Sequence, residues 1–217
     1  MDIEILYKDK FIVICLKPAG ILSESGGMPE ILSKQLGGEF FPVHRLDRAV
    51  SGLMVYARSK AAAGKLSGLI SGGLLKKEYL AVVSGCPSEK EGCFKDFLFK
   101  DSGKNKSFVV KRMRKGVKEA ELNYKLLEHK EGLSLVEIEL ITGRSHQIRV
   151  QFSSRKMPLA GDVKYGSPIK NCGIALYSSA LKFPHPITGK PMEFKSLPKA
   201  EYPFNIFIKE NEDGKNL

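Results

Sequence analysis

The four cysteines, Cys15, Cys86, Cys93 and Cys172, form no Cys-x-x-Cys pair and no zinc-type spacing. A cysteine metal centre and a dithiol redox site therefore have little basis. No nucleotide, flavin or metal motif is present either, so the sequence predicts no cofactor and no metal. No apolar run reaches membrane-spanning length, and neither a basic amphipathic helix nor a lipidation motif occurs. The first residues, Met1-Asp2-Ile3-Glu4, place acids where a secretory signal needs a basic region. No period recurs along the chain, which excludes a repeat array. Cys15 and Cys172 sit in apolar stretches and read as core thiols of a protein kept in a reducing cytoplasm.

What the chain does have is positive charge. Its 217 residues carry 35 Lys+Arg against 24 Asp+Glu, a formal net charge of +11. That balance favours a polyanionic partner and is silent about fold. At 42% hydrophobic residues the chain can bury a substantial core. Most of the excess charge lies in one place. Lys100 to Lys118 holds eight cations (Lys100, Lys104, Lys106, Lys111, Arg112, Arg114, Lys115, Lys118) and one acid, Asp101, around a short strand Phe108-Val109-Val110. This segment reads as a basic hairpin tracking a phosphate backbone, against the alternative of a solvated loop.

Apolar patterning predicts short strands at Ile3–Leu6 and Phe11–Leu16, with Lys17-Pro18-Ala19-Gly20 as the closing turn. Pro29–Leu36 reads as a helix with proline in its first turn, and Val43–Arg45 as extended chain. Leu53–Ala57 is a buried strand by its unbroken apolar run. Ser59 is placed to cap a helix that Gly72-Gly73 stops. Glu78–Ser84 is a strand, Glu119–Glu128 and Ser134–Ile141 an antiparallel pair, Arg144–Ser154 a helix, and Ile174–Phe183 and Met192–Phe194 further strands. Many strands joined by short turns, with few helices, give an α+β class with a largely antiparallel mixed sheet flanked by helices and loops. One domain is expected over 1–217, with the basic hairpin insert at about 100–118 and a frayed tail at about 211–217.

Three short segments carry the chemistry. In His44-Arg45-Leu46-Asp47-Arg48 one carboxylate lies among cations, just before the turn residues Ser51-Gly52. A neighbouring guanidinium keeps a carboxylate ionised, and an ionised aspartate can attack carbon. The alternative is a surface aspartate in a structural ion pair. In Thr142-Gly-Arg-Ser-His-Gln-Ile-Arg149, the residues Arg144, His146, Gln147 and Arg149 crowd what reads as a helix start. Cations are unfavourable there unless a phosphate or carboxylate meets them. In Lys76-Lys77-Glu78-Tyr79, alternation puts Lys77 and Tyr79 on one face of a strand.

Together these segments resemble the RluA-type pseudouridine synthases. His44–Gly52 (HRLDRAVSG) is similar to the family's HRLDxxTSG motif, Lys76–Gly85 (KKEYLAVVSG) to its tyrosine motif, and Leu140–Phe152 (LITGRSHQIRVQF) to its TGRxHQIR motif. Pro158–Gly166 and Ala175–Phe194 resemble its last two blocks, all in the family's order. Val50 stands where the family usually has threonine, and no basic N-terminal RNA-binding module is expected before the catalytic fold.

The resemblance implies the pseudouridine synthase fold and an isomerase that acts on uridine in structured RNA, ribosomal or transfer. The N1–C1′ bond breaks, the base turns, and C5 bonds to C1′, without a cofactor. It makes Asp47 the nucleophile or general base and Arg144 the partner that holds it ionised. Tyr79 becomes the aromatic that stacks on the flipped uracil, and Arg45 the guanidinium that fills the gap it leaves. His44, His146, Gln147, Arg149 and Lys77 orient the site or touch RNA. Lys111, Arg112, Arg114 and Lys115 are expected to bind phosphate from the basic hairpin. A monomer is the default. Two rivals stand beside this reading. One is a non-catalytic RNA-binding or ribosome-assembly protein on the same fold. The other is a hydrolase with an aspartate nucleophile, which would need a second carboxylate such as Asp162.

Overall fold

The computed structural model describes residues 1–209; the tail expected at about 211–217 lies outside them. In chain order the elements are β1 (Ile5–Lys8), β2 (Ile12–Lys17), α1 (Met28–Leu36), β3 (Phe41–Pro42), β4 (Ser51–Ala57), α2 (Lys60–Ser71), β5 (Lys76–Ser84), β6 (Glu91–Asp101), β7 (Lys106–Val110), β8 (Val117–Lys130), β9 (Leu133–Leu140), α3 (Gln147–Ser154), β10 (Leu176–Pro184) and β11 (Pro191–Lys195). The class is α+β. The chain divides into two compact units, Met1–Lys77 with Tyr177–Ser196, and Glu78–Leu176 with the residues from Leu197 on.

In the first unit the strand order is β1-β2-β4-β10, with β3 on β4 and β11 on β10. Only β10 against β4 is parallel among the pairings within the two units. The unbroken apolar runs of β2 and β4 are buried from Ile12 to Cys15 and from Leu53 to Ala57, as central strands with both faces covered must be. α2 closes one side through Ala62 and Leu66, which join Ile12, Leu53, Val55 and Leu181 in one core. Its start follows the sequence: the Ser59 hydroxyl accepts the Ala62 N–H at 3.2 Å. Val43–Arg45, expected to be extended, is loop. The Val55 N–H that would continue the β3–β4 ladder instead donates to His44 Nε2 at 3.1 Å.

The second unit is the antiparallel order β5-β9-β8-β6-β7. α3 packs on it, and Phe94, Tyr124 and Phe152 form an aromatic cluster with ring centroids 4.7–6.0 Å apart. Each such contact contributes roughly 0.5–1.5 kcal/mol beyond simple burial. Sequence patterning did not mark β6, because Lys95, Asp96, Lys100 and Asp101 break its alternation. The strand forms nevertheless, since Phe94 and Leu98 are buried and the rest of it is wetter. α3 is shorter than expected: His146 holds φ 53°, a left-handed conformation that keeps Arg144–His146 out of the helix. Cys15 is buried, but Cys172 is only half-buried rather than in the core. Among the described residues no helix is long and apolar enough to cross a membrane, and no group of His, Cys, Asp and Glu has the arrangement of a metal site.

Candidate active site

In the first unit the loop bearing Asp47 is tied to the turn after β2. Lys17 is 1% exposed. Its ammonium donates to the carbonyls of Pro18 at 2.8 Å, Ile21 at 2.9 Å and Arg48 at 3.3 Å, which uses all three of its donors. Burial pulls its pKa down to about 8, and the Asp47 carboxylate acts in the opposite sense. A second clasp joins the same two segments: Arg48 Nε donates to the Gly20 carbonyl at 2.8 Å, and the Gly20 N–H donates to the Arg48 carbonyl at 2.7 Å. Ser23 is a third. Its hydroxyl donates to Leu46 O at 2.9 Å and accepts the Leu46 N–H at 3.0 Å, while Tyr56 OH donates to Ser23 O at 2.9 Å. Asp47 itself is half-buried.

The residues that follow fix where this loop leaves. Val50 N–H donates to Asp47 O at 2.9 Å, and the Val50 side chain is buried, so an apolar residue at this position fits its surroundings. Gly52 has φ 118°, and a Cβ there would overlap the backbone of Ser178 where β4 meets β10. No side chain larger than hydrogen fits at this point.

Lys17 and Ser23 were not identified as site residues from the sequence. The Lys17-Pro18-Ala19-Gly20 turn was legible, but that its lysine would fold under the Asp47 loop was not. Composition gives no sign that a lysine will be buried.

Several residues expected to touch RNA are otherwise engaged. His44 is a loop anchor. Its Nε2 accepts from Val55, its Nδ1 is buried with no hydrogen-bond partner among the described residues, and burial pulls its pKa to about 3, helped by the nearby Lys77 charge. A ring held neutral offers phosphate no cation. Lys77 is half-buried, and burial lowers its pKa. Arg45 is exposed and paired with Glu24 at 2.6 Å. An exposed pair of this kind contributes only about 0–1 kcal/mol and leaves the guanidinium free to move to another partner.

In the second unit the turn before α3 is built by the residues expected to bind RNA. Gln147 is buried. Its Oε1 accepts the Arg144 N–H at 2.9 Å and the Thr142 hydroxyl at 2.8 Å, and its Nε2 donates to Glu121 O at 3.0 Å. Gln147 therefore shapes the arginine loop, with both acceptor sites of its Oε1 and one of its two Nε2 donors used within the fold. Arg149 points inward and makes a two-point ion pair with Asp162 at 2.6 and 2.8 Å, with side chains 7% and 1% exposed. Of the cations expected at the helix start, Arg149 is thus met by a buried carboxylate, the second of the two explanations the sequence allowed, and is not a phosphate contact. The same pair commits Asp162 to structure, which removes the second carboxylate a hydrolase would use.

Arg144 is exposed, and its Nε donates to Glu119 O at 2.8 Å. Tyr79 is 4% exposed on β5, opposite Ile138 of β9. His146 Nδ1 meets Tyr165 OH at 2.9 Å. Lys111, Arg112, Arg114 and Lys115 lie in the exposed loop between β7 and β8, with the Arg114 guanidinium 5.4 Å from the centre of the Phe99 ring.

Comparison with known proteins gives a consistent result. A family model described as RNA pseudouridylate synthase matches residues 11–154. The chain is 33% identical over 212 residues to the uncharacterized RNA pseudouridine synthase YlyB of Bacillus subtilis (strain 168), covering 90% of this chain and 69% of that protein. It is 31% identical over 211 residues to the dual-specificity RNA pseudouridine synthase RluA of Haemophilus ducreyi, covering 90% of this chain and 93% of that one. Among solved structures, human RNA pseudouridylate synthase domain containing 1 superimposes with a TM-score of 0.79 at 22% identity, covering 94% of this chain and 86% of that chain. That likeness speaks to the fold.

Proposed function

Because the chain belongs to the RNA pseudouridylate synthase family, among its RluA-type members, and is an isomerase of uridine in RNA, we propose that Asp47 is its nucleophile or general base. The supporting observation is the loop that carries it. A half-buried carboxylate is held on a backbone fixed by the buried Lys17 ammonium, the Arg48–Gly20 clasp and Ser23. Such a fixed carboxylate keeps its reach to a reacting atom from one molecule to the next. Lys17 is a positioning residue here, acting through the Arg48 carbonyl and its charge.

The substrate is structured RNA, ribosomal or transfer, with the target uridine flipped out of its stack. Tyr79 supplies the aromatic surface for that base, Arg144 the cation of the reaction, and Arg45 leaves Glu24 to fill the gap. The basic loop, through Lys111, Arg112, Arg114 and Lys115, holds phosphate. The isomerisation breaks N1–C1′ and C5–H and forms C5–C1′ and N1–H, one proton leaving C5 and one being taken up at N1, so it needs no electron donor or group donor. The protein works as a cytoplasmic monomer.

Tritium release from RNA carrying 5-³H-uridine tests the reading. Release by the wild-type protein, lost in Asp47→Ala, is the expected result. Tight RNA binding with no release from any RNA class would favour the assembly-factor alternative.

A further inference from the structure

The basic hairpin and the arginine loop of the second unit are joined by one phenol. Tyr165 is 5% exposed, and Ser107, at the start of β7, is 2% exposed. The Ser107 N–H donates to Tyr165 OH at 2.8 Å, and Tyr165 OH lies 3.3 Å from Ser107 O as donor. The same oxygen meets His146 Nδ1 at 2.9 Å, with the two rings edge to face. A parallel strut runs beside it: the Ser107 hydroxyl donates to Ser145 O at 2.6 Å. Ser145 and His146 directly follow Arg144, whose own N–H and Nε are held by Gln147 and Glu119. His146 sits at φ 53°, a conformation that a non-glycine residue keeps only when its surroundings hold it. The hairpin end is fixed to the same place by Lys106 donating to Lys164 O at 2.7 Å and Lys164 donating to Asn105 O at 3.2 Å.

From this arrangement we infer that Tyr165 is a positioning residue for the reaction: its hydroxyl locks the arginine loop to the RNA-binding hairpin through His146 and Ser107. The physical argument is one of stiffness. Arg144 is exposed, so packing does not confine it. Hydrogen bonds hold its loop, one reaching it directly from β7 (Ser107 Oγ to Ser145 O) and one relayed from β7 through Tyr165 to His146. RNA held on the cations after β7 therefore meets an arginine at a fixed distance and angle. Without the phenol, the hydrogen bond between His146 Nδ1 and Tyr165 is lost from the left-handed turn, and the loop gains freedom where a 1 Å error can cost on the order of 100-fold in rate. The inference rests on Arg144 serving the pseudouridine reaction, as proposed above.

Tyr165→Phe is the test. The ring remains, so its packing beside the Arg149 guanidinium at 5.0 Å and the core around Val150 is kept. Single-turnover tritium release at saturating RNA should fall roughly 10- to 100-fold, while the RNA Kd stays within about twofold of wild type. A purely structural role would move the melting temperature and leave this split absent. Ser107→Ala cuts the second strut without touching the ring, and should lower the same rate with the same unchanged Kd. In the double variant the losses should be less than multiplicative, because both act on one loop. A Tyr165→Phe rate within twofold of wild type, or a loss confined to Kd, overturns the inference. Should Tyr165→Phe prove too unstable to assay, Ser107→Ala decides it by the same criterion. Normal turnover by Arg144→Ala would overturn the inference together with its premise, whereas loss of turnover in Arg144→Ala with full turnover in Tyr165→Phe overturns the inference alone.

Discussion

The Arg149–Asp162 pair gives the sharpest quantitative expectation. Replacing Arg149 by methionine keeps much of the side-chain volume but leaves the Asp162 carboxylate, 1% exposed, without the guanidinium that holds it at 2.6 and 2.8 Å. An exposed pair would cost about 0–1 kcal/mol when broken. With both partners buried, the loss is the penalty of an uncompensated charge, about 3–5 kcal/mol. For a chain of this size each kcal/mol shifts the melting temperature by roughly 2–4 °C, so Arg149→Met should melt about 6–20 °C lower. Urea or thermal unfolding followed by circular dichroism reads this directly. The double variant Arg149→Met, Asp162→Leu removes both charges and should recover most of the loss, since apolar replacement of a buried pair is often near neutral. A shift under about 2 °C in Arg149→Met, accompanied by weaker RNA binding, would refute the reasoning. It would return Arg149 to the phosphate-contact role that its position in the sequence suggested.

Four further outcomes are expected. His44 is held neutral with its pKa near 3, against 6.5 for an ordinary histidine; the unfolded chain takes up its proton first, so this group's contribution to stability is lost as pH falls from about 6.5 toward 3. Unfolding followed across that window should show a shallower acid slope in His44→Gln, and an unchanged slope would count against the buried neutral ring. Lys17, at about 8 instead of 10.5, has the matching sign for a base with a depressed pKa. The unfolded chain holds more protons between about 8 and 10.5, so this residue adds stability as pH rises through that window. The single-turnover rate should nonetheless decline above about pH 8 as the ammonium beside Asp47 is lost, and a rate flat to pH 9.5 in saturating RNA (about 1.5 units above that pKa) would remove its role. Neutralising Lys111, Arg112, Arg114 and Lys115 to glutamine should weaken RNA binding and lower the slope of log K against log salt by up to about four times 0.7–0.9; unchanged binding would move the RNA contact elsewhere. Arg144→Ala should abolish tritium release with a stability change within about 1 kcal/mol, because its side chain is exposed, and a large stability loss would mean the guanidinium is buried after all.

Strands, helix caps and motif order were legible because they are local. The unbroken apolar run Leu53–Ala57 read as a buried strand, and Ser59 could cap a helix whatever surrounded it. The alternation of Leu135–Leu140 set one wetter face of β9, and Glu137 and Glu139 lie on it, half-buried. The three chemical segments were also legible, since residue type and spacing are properties of the chain. What spacing could not supply was direction. Arg144 and Arg149 stand five positions apart in one basic motif, yet one is exposed and the other is sealed against Asp162. The left-handed turn at His146 separates them and starts the helix three residues later than the pattern suggested.

By itself, then, the sequence determined the α+β class, the basic character and the family, and it marked the aspartate proposed to carry the chemistry. These follow from local propensity, net charge and motif, none of which needs a partner across the fold. Only the tertiary structure decided which polar residues are free to act and which are consumed in building the site. Lys17 under the Asp47 loop, Gln147 under Arg144, and Tyr165 between hairpin and arginine loop owe their roles to partners 31, 26 and 58 residues away in the chain. Burial turns such distant contacts into obligations, because a buried donor or charge must find a partner that local sequence does not name.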